Sequence, residues 1–307
     1  MSNAAIVVLT LVFYQGVLLA IGYWAKQRSS STTEYLIGDY QLGPWVAALS
    51  YAAGSSSAWS ILGDSGIAFS QGLSAFWLLP GTLLGHLVVW FYIAPRLQAQ
   101  AKQSGWVTLT DVLAKHLPAN AKRQTYGVAA IVVLVSFIFY IAAQFQGAAN
   151  TFAAVFDLNF FWSLVIGAAV VLVYTLWGGF WAVSATDALQ ALLMLFASIL
   201  LPWVALEQVG GIAAILEHMD TSPFWLWQGQ HQGWFVLGFF IGMLSIGFGP
   251  IGQPHLLNRV MALRNAQAVG LARTVALVWF VVVLGGMFVT GLLGHLLLTE
   301  IPPGGSN

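Results

Sequence analysis

All ten basic residues fall in alternate gaps between long apolar runs, which limits the possible folds of this chain more than any other feature. Lys26 and Arg28 follow the first run; Arg96, Lys102, Lys115, Lys122 and Arg123 follow the third; Arg259, Arg264 and Arg273 follow the seventh. Short cytoplasmic loops of membrane proteins keep Lys and Arg, whereas exported loops lose them. The pattern therefore predicts an all-α, multi-pass protein of the plasma (inner) membrane, with about eight spans and the N-terminus outside. The spans fall near 5–25, 45–70, 73–95, 125–152, 159–177, 182–206, 233–256 and 268–298, each close to or above the ~20 residues that cross a bilayer. The first run lacks a small-residue cleavage site and is too long for a signal peptide, so it counts as a span.

Only 7% of the residues are charged, against about 25% in a soluble domain, so lipid is the main solvent. The absence of cysteine excludes disulfides, thiol catalysis and Cys-based metal sites. No nucleotide loop, HExxH or nucleophile elbow is present, so neither an enzyme, an organic cofactor nor a nucleic-acid partner is expected. In the long loop after the third run, VTLTDVLAKHL (residues 107–117) predicts a short interfacial helix capped by Thr108 or Thr110. Residues 212–219 predict another, followed by a Trp-rich stretch suited to the outer headgroup layer. His116, His218 and His231 are single loop residues and are read as solvated.

Two spans carry interruptions. The second reads SYAAGSSSAWSILGDSG and the seventh GFFIGMLSIGFGPIGQPH; both concentrate residues that weaken a helix or remove its donors. Small residues can also serve close helix packing. Two interrupted spans that are five apart enter the membrane from opposite sides, the arrangement an inverted five-helix repeat requires, with a site at the midplane. Unwound carbonyls and serine hydroxyls suit a hard cation, and helix N-termini suit an anionic group. This favours a secondary transporter over a channel or a membrane enzyme.

GGFWAVSATDALQ (178–190), DYQLGPWVAALSYAAGSSSAW (39–59) and GQPHLLNRVMA (252–262) together resemble the sodium:solute symporter family, most of all its sodium/proline branch. The resemblance implies a LeuT-like inverted-repeat fold with one membrane domain over 1–307: an extra N-terminal span (5–25), a first five-helix repeat (45–206) and the start of a second (233–298). It also implies sodium-coupled symport of an amino acid, proline-like, or another small organic solute by alternating access. The expected partners are the sodium ion, that solute and the lipid bilayer. Because the family's second repeat has five helices and only two follow residue 232 here, the chain is expected to be the N-terminal part of a longer protein. A symporter-like sensor domain of a signalling protein is the alternative.

Carried onto this sequence, the resemblance implies sodium at the carbonyls of Ala53 and Ser56 and solute near Ser57, Trp59 and Tyr140. Ser55 stands where the proline branch has aspartate, which removes one formal charge from the cation site. Ile246 and Pro250 replace aromatic pocket residues of that branch, while Pro254 agrees with it. Asp64 is an acid inside a span and so an ion-binding candidate, or else a solvated carboxylate near the outer interface. Asp187 either lines the inner ion path, as the family implies, or caps the first turn of the sixth span. His255 is expected to cap a helix end, and His86 to bond a neighbouring helix.

Overall fold

A 24-residue apolar helix, α1 (Asn3–Lys26), opens the chain and is long enough to cross a bilayer in one pass. In this computed structural model residues 3–27, 30–56, 62–156, 159–218 and 223–298 are described. Ser57 and Trp59 lie outside them. A short helix, α2 (Thr32–Ile37), is set by a capping box in which Ser31 and Glu34 satisfy each other's backbone donors.

The second span is interrupted as its sequence predicts. Its first half, α3 (Pro44–Ser55), starts with proline at a position where no intrahelical donor is needed. The second half, α4 (Asp64–Gln71), resumes after the break. The third span consists of α5 (Leu78–Leu87), a π-helical stretch Val88–Ile93 and α6 (Ala94–Ser104). This rod runs nine residues past the expected limit of 95, because hydropathy senses where lipid ends rather than where helix ends. α6 buries Leu97, Gln98 and Ala101 and leaves its charges outward.

The interfacial helix α7 (Leu109–Ala114) follows, capped by Thr108 in a reciprocal box with Asp111. α8 (Ala119–Phe156) forms the fourth span. The fifth and sixth spans are two helices that follow each other without a loop, together α9 (Phe160–Val209). Its 50 residues would reach about 75 Å if straight, far more than a ~30 Å hydrocarbon core. The turn is made at Gly179 alone, with φ 53° and ψ −140°, a conformation in which a Cβ would also strike Tyr35. The expected inner loop between 177 and 182 is therefore a single-residue kink.

α10 (Ile212–His218) lies in the following connection. The seventh span is α11 (Trp234–Ser245), a 3₁₀ stretch Ile246–Gly252 and α12 (Pro254–Met261), so it too is interrupted where Gly and Pro cluster. The eighth is α13 (Ala266–Leu297), capped by Asn265. Among the described residues six helical segments are long and apolar enough to cross a membrane by themselves. One of the six, Trp234–Gly252, belongs to the interrupted seventh span, and another, Asp64–Ser104, begins in the second half of the interrupted second span.

Two contacts bind the interrupted spans into this frame. A methyl on Gly85 would overlap the Gly247 carbonyl, and one on Gly81 the Met243 carbonyl, so the third span meets the seventh backbone to backbone. At the end rich in Lys and Arg, Leu42 and Leu263 form a bridge in which Leu42 N–H donates to Ala262 O (3.0 Å) and Arg264 N–H to Leu42 O (3.2 Å). The aromatic centre of the core is Tyr51, edge-on to Trp90 and Phe280, with its hydroxyl 3.0 Å from His86 Nδ1. His86 thus bonds a neighbouring helix as expected, and stacks on Phe280.

Candidate functional site: a polar junction between two broken helices

α3 ends because Gly54 and the serine run after it hold helix poorly. Ser56 turns extended (ψ 125°), its N–H shared between Ala52 and Ala53 carbonyls at 3.1 Å each, and Ser55 Oγ donates back to Ala52 O at 2.8 Å. The carbonyls of a helix's last turn have no partner within the helix. The Gly54 carbonyl lies 3.1 Å from His255 Nε2. A carbonyl only accepts, so this nitrogen is the donor and carries a proton; Nδ1 is buried with no hydrogen-bond partner. His255 therefore caps a helix as expected, although the end it caps belongs to the other broken span.

One turn further along α12, Arg259 is 7% exposed. Its Nε donates to Ser50 Oγ (2.7 Å), its Nη2 to Asp187 Oδ2 (2.6 Å), and its Nη1 to the His255 carbonyl. Ser50 Oγ in turn donates to Asp187 Oδ2 at 2.9 Å. This is the one ion pair among the described residues. Three elements meet here: α3 supplies Ser50 and Gly54, α9 supplies Asp187, and α12 supplies His255 and Arg259. The guanidinium packs over Gly54, where a Cβ would meet it at 3.6 Å, an ordinary contact distance.

The capping expectation for Asp187 is corrected by its position. It lies eight residues beyond the Gly179 kink, inside α9, where its backbone is already hydrogen-bonded in the helix and its carboxylate reaches across to α3 and α12. Asp64 is likewise not solvated at an interface: it is 3% exposed at the start of α4, on the far side of the break from the junction.

Tyr140 of α8 approaches the junction, its ring centroid 6.0 Å from that of His255, with Phe137 closer at 5.3 Å. Pro254 starts α12 beside His255. Ile246 and Pro250 lie in the 3₁₀ stretch packed on α5 and are not drawn to the Gly54–His255 contact. Ser50 and Arg259 escape a reading by motif: the serine sits in an apolar helix, and the arginine counts as one of the loop-flanking basic residues. Among the described residues no three His, Asp or Glu side chains converge on one point. The oxygens on offer at the α3 terminus are backbone carbonyls and serine hydroxyls, a donor set for a hard cation rather than a transition metal.

The sodium:solute symporter family profile matches residues 35–304, which include both broken spans and the whole junction. The chain belongs to the sodium:solute symporter family. Members and relatives are secondary transporters with sodium as coupling ion. The chain is 33% identical over 292 residues to sodium/proline symporter 2 of Staphylococcus saprophyticus, covering 94% of this chain and 56% of that one. It is 35% identical over 281 residues to the high-affinity proline transporter PutP of Bacillus subtilis, covering 90% and 58%. The chain thus spans a little over half the length of these relatives. Among solved structures, a Na⁺-coupled sialic acid symporter superimposes with a TM-score of 0.80 at 15% identity, covering 96% of this chain and 64% of that one. That likeness fixes the fold: the helices adopt the LeuT-like arrangement of this membrane transporter family.

Proposed function

We propose that the protein couples sodium entry to uptake of an amino acid, proline-like, or another small organic solute by alternating access. The observation that carries this reading is the end-to-end meeting of two interrupted spans at Gly54–His255 and Ser50–Arg259–Asp187, in a member of a sodium symporter family. The relatives named for proline support an amino acid as solute. In this reading, residues 45–206 form one five-helix repeat and 233–298 begin its inverted partner. The N-terminus is outside and the junction faces the cytoplasmic side of the plasma membrane, as the distribution of Lys and Arg supports.

Sodium binds at the end of α3 through the carbonyls of Ala53 and Ser56, with Ser55 beside it and Asp64 or Asp187 supplying the countercharge along its path. Solute binds between Ser57, Trp59, Tyr140 and the seventh-span stretch holding Ile246, Pro250 and Pro254. The Arg259–Asp187 pair closes the inner end. A sodium ion that draws Asp187 away from the guanidinium would loosen the bond between α9 and α12, so ion occupancy and helix pairing are alternatives at one carboxylate.

The test is uptake of a radiolabelled amino-acid panel by the complete gene product in proteoliposomes, with and without an inward sodium gradient. At least one amino acid should accumulate only with the gradient. Accumulation unaffected by replacing sodium with potassium would overturn the coupling, and no uptake of any amino acid would rule out an amino acid as the solute.

A further inference from the structure

At the basic end of the bundle, α6, α7 and the start of α8 line an open cavity of about 450 Å³ that includes none of the junction residues, within the size range of small-molecule sites. Its lining includes Lys115, Lys122, His116, Trp106, Asp111 and Tyr126. The charges are arranged in a particular way. Both oxygens of Asp111 are engaged: Oδ2 accepts from Val107 N–H (3.0 Å), Thr108 N–H (2.8 Å) and Thr108 Oγ1 (3.1 Å), and Oδ1 accepts from the Tyr126 hydroxyl. The acid is thereby spent on capping α7 and tying it to α8.

The lysines are not spent in that way. Lys115 Nζ donates to the neutral amide of Gln100 (3.1 Å) and lies 5.4 Å from the Trp106 ring centroid. Among the described residues neither Lys115 nor Lys122 pairs with a carboxylate. The lining thus carries two lysines against one acid whose oxygens are already engaged. From α8 onward the neighbouring surface is apolar and outward-facing, with Val128, Ile131 and Val132 exposed, so the cavity opens where the hydrocarbon boundary begins. Trp106 and Tyr126 are the amphipathic aromatics favoured at that depth.

We propose that this cavity binds a phosphate-bearing anion, with the lysines on the phosphate oxygens and the aromatic rings against the adjoining glycerol or acyl carbons. The same phosphate chemistry could come from an anionic phospholipid headgroup or from free phosphate. Its level beside the lipid-facing side of α8 favours the headgroup, since basic pockets at the cytoplasmic ends of helices collect anionic lipids. The inference does not depend on what the protein transports.

The test is thermal unfolding of the full chain in a neutral detergent, titrated separately with short-chain phosphatidylglycerol, short-chain phosphatidylcholine and inorganic phosphate. Phosphatidylglycerol should raise the melting temperature saturably, because a ligand that binds only the folded state stabilises it by mass action; phosphatidylcholine should not. Each of Lys115→Gln and Lys122→Gln should weaken the apparent affinity about fivefold, as expected for one basic residue at a membrane surface. Lys102→Gln, outside the cavity, should leave it unchanged. An equal response to inorganic phosphate supports the anion site and assigns free phosphate as its source. If a lysine variant does not fold, native mass spectrometry of the unmodified protein from mixed phosphatidylglycerol–phosphatidylcholine nanodiscs decides, with preferential retention of one phosphatidylglycerol supporting the site. No saturable response to either anion, an undiminished response in both lysine variants, or no headgroup preference in the mass spectra would overturn it.

Discussion

Removing one partner of the Arg259–Asp187 pair leaves the other charged in a place closed to water, since the two side chains are 9% and 15% exposed. Such a break costs about 3–5 kcal/mol, whereas replacing both partners by neutral groups costs much less. Asp187→Asn and Arg259→Leu should each destabilise the protein by about that amount, and the double variant by less than either, a coupling that chemical unfolding in detergent measures directly. At the break itself, Ser55→Asp would add a formal charge beside the Ala53 carbonyl. The sodium concentration for half-maximal transport should then fall, while Asp64→Asn leaves it unchanged; loss of sodium dependence in Asp64→Asn with no effect of Ser55→Asp would move the coupling carboxylate to Asp64. The breaks were legible because Gly, Ser and Pro signal them locally. The pairing was not: Asp187 meets Arg259 across 72 residues and Ser50 across 137, and nothing near Arg259 distinguishes it from an arginine kept for topology.

Helices here meet either through small residues or through caps, and the two kinds of contact predict different failures. Gly85→Ala would press a methyl into the Gly247 carbonyl, forcing the third and seventh spans apart at a cost of about 1–3 kcal/mol; Gly127→Ala on α8, where a methyl meets nothing within 4 Å, is the control, and thermal unfolding compares them. The α7 cap predicts a pH effect. Burial pushes the Asp111 pKa up, but the Tyr126 hydroxyl and the Thr108 and Val107 N–H groups outweigh it and hold the carboxyl below its usual range. A carboxyl depressed on folding stabilises above its unfolded pKa, about 3.9, and loses that stabilisation as pH falls through the folded value. Hydrogen exchange of the α7 amides, corrected for intrinsic rates, should accelerate as pH drops from 5 toward 3 in the wild type and show no such step in Asp111→Asn. A cap at Thr108 or Thr110 was foreseen from the local sequence signature, and the structure uses Thr108. The turn between the fifth and sixth spans was signalled by the pair Gly178–Gly179, and the positive φ falls on the second of them; the reach of α6 to Ser104 was not foreseen, because hydropathy marks the lipid boundary.

Across the whole molecule, the alternation of basic and non-basic loops pointed to about eight spans, and the stretches rich in Gly, Ser and Pro pointed to two interrupted ones, which the structure shows as the end of α3 and the 3₁₀ stretch Ile246–Gly252. What topology could not supply is which end of the site is closed. The structure puts a buried ion pair and a helix-to-helix cap at the basic end, joining α3, α9 and α12, and Leu42–Leu263 pairing beneath them. In the proposed mechanism this closure opens in each cycle, and sodium at the α3 terminus biases it. The sequence contains no cysteine, so a thiol introduced at Ala53 is the one thiol in residues 1–307. The most direct measurement is the rate at which a small methanethiosulfonate reagent modifies Ala53→Cys in transport-competent membranes, in sodium against potassium at equal ionic strength. The account predicts a saturable, severalfold slowing by sodium that Ser56→Ala does not reproduce without the ion and that added solute deepens. Identical rates in sodium and potassium, in a variant that still accumulates solute, would contradict it.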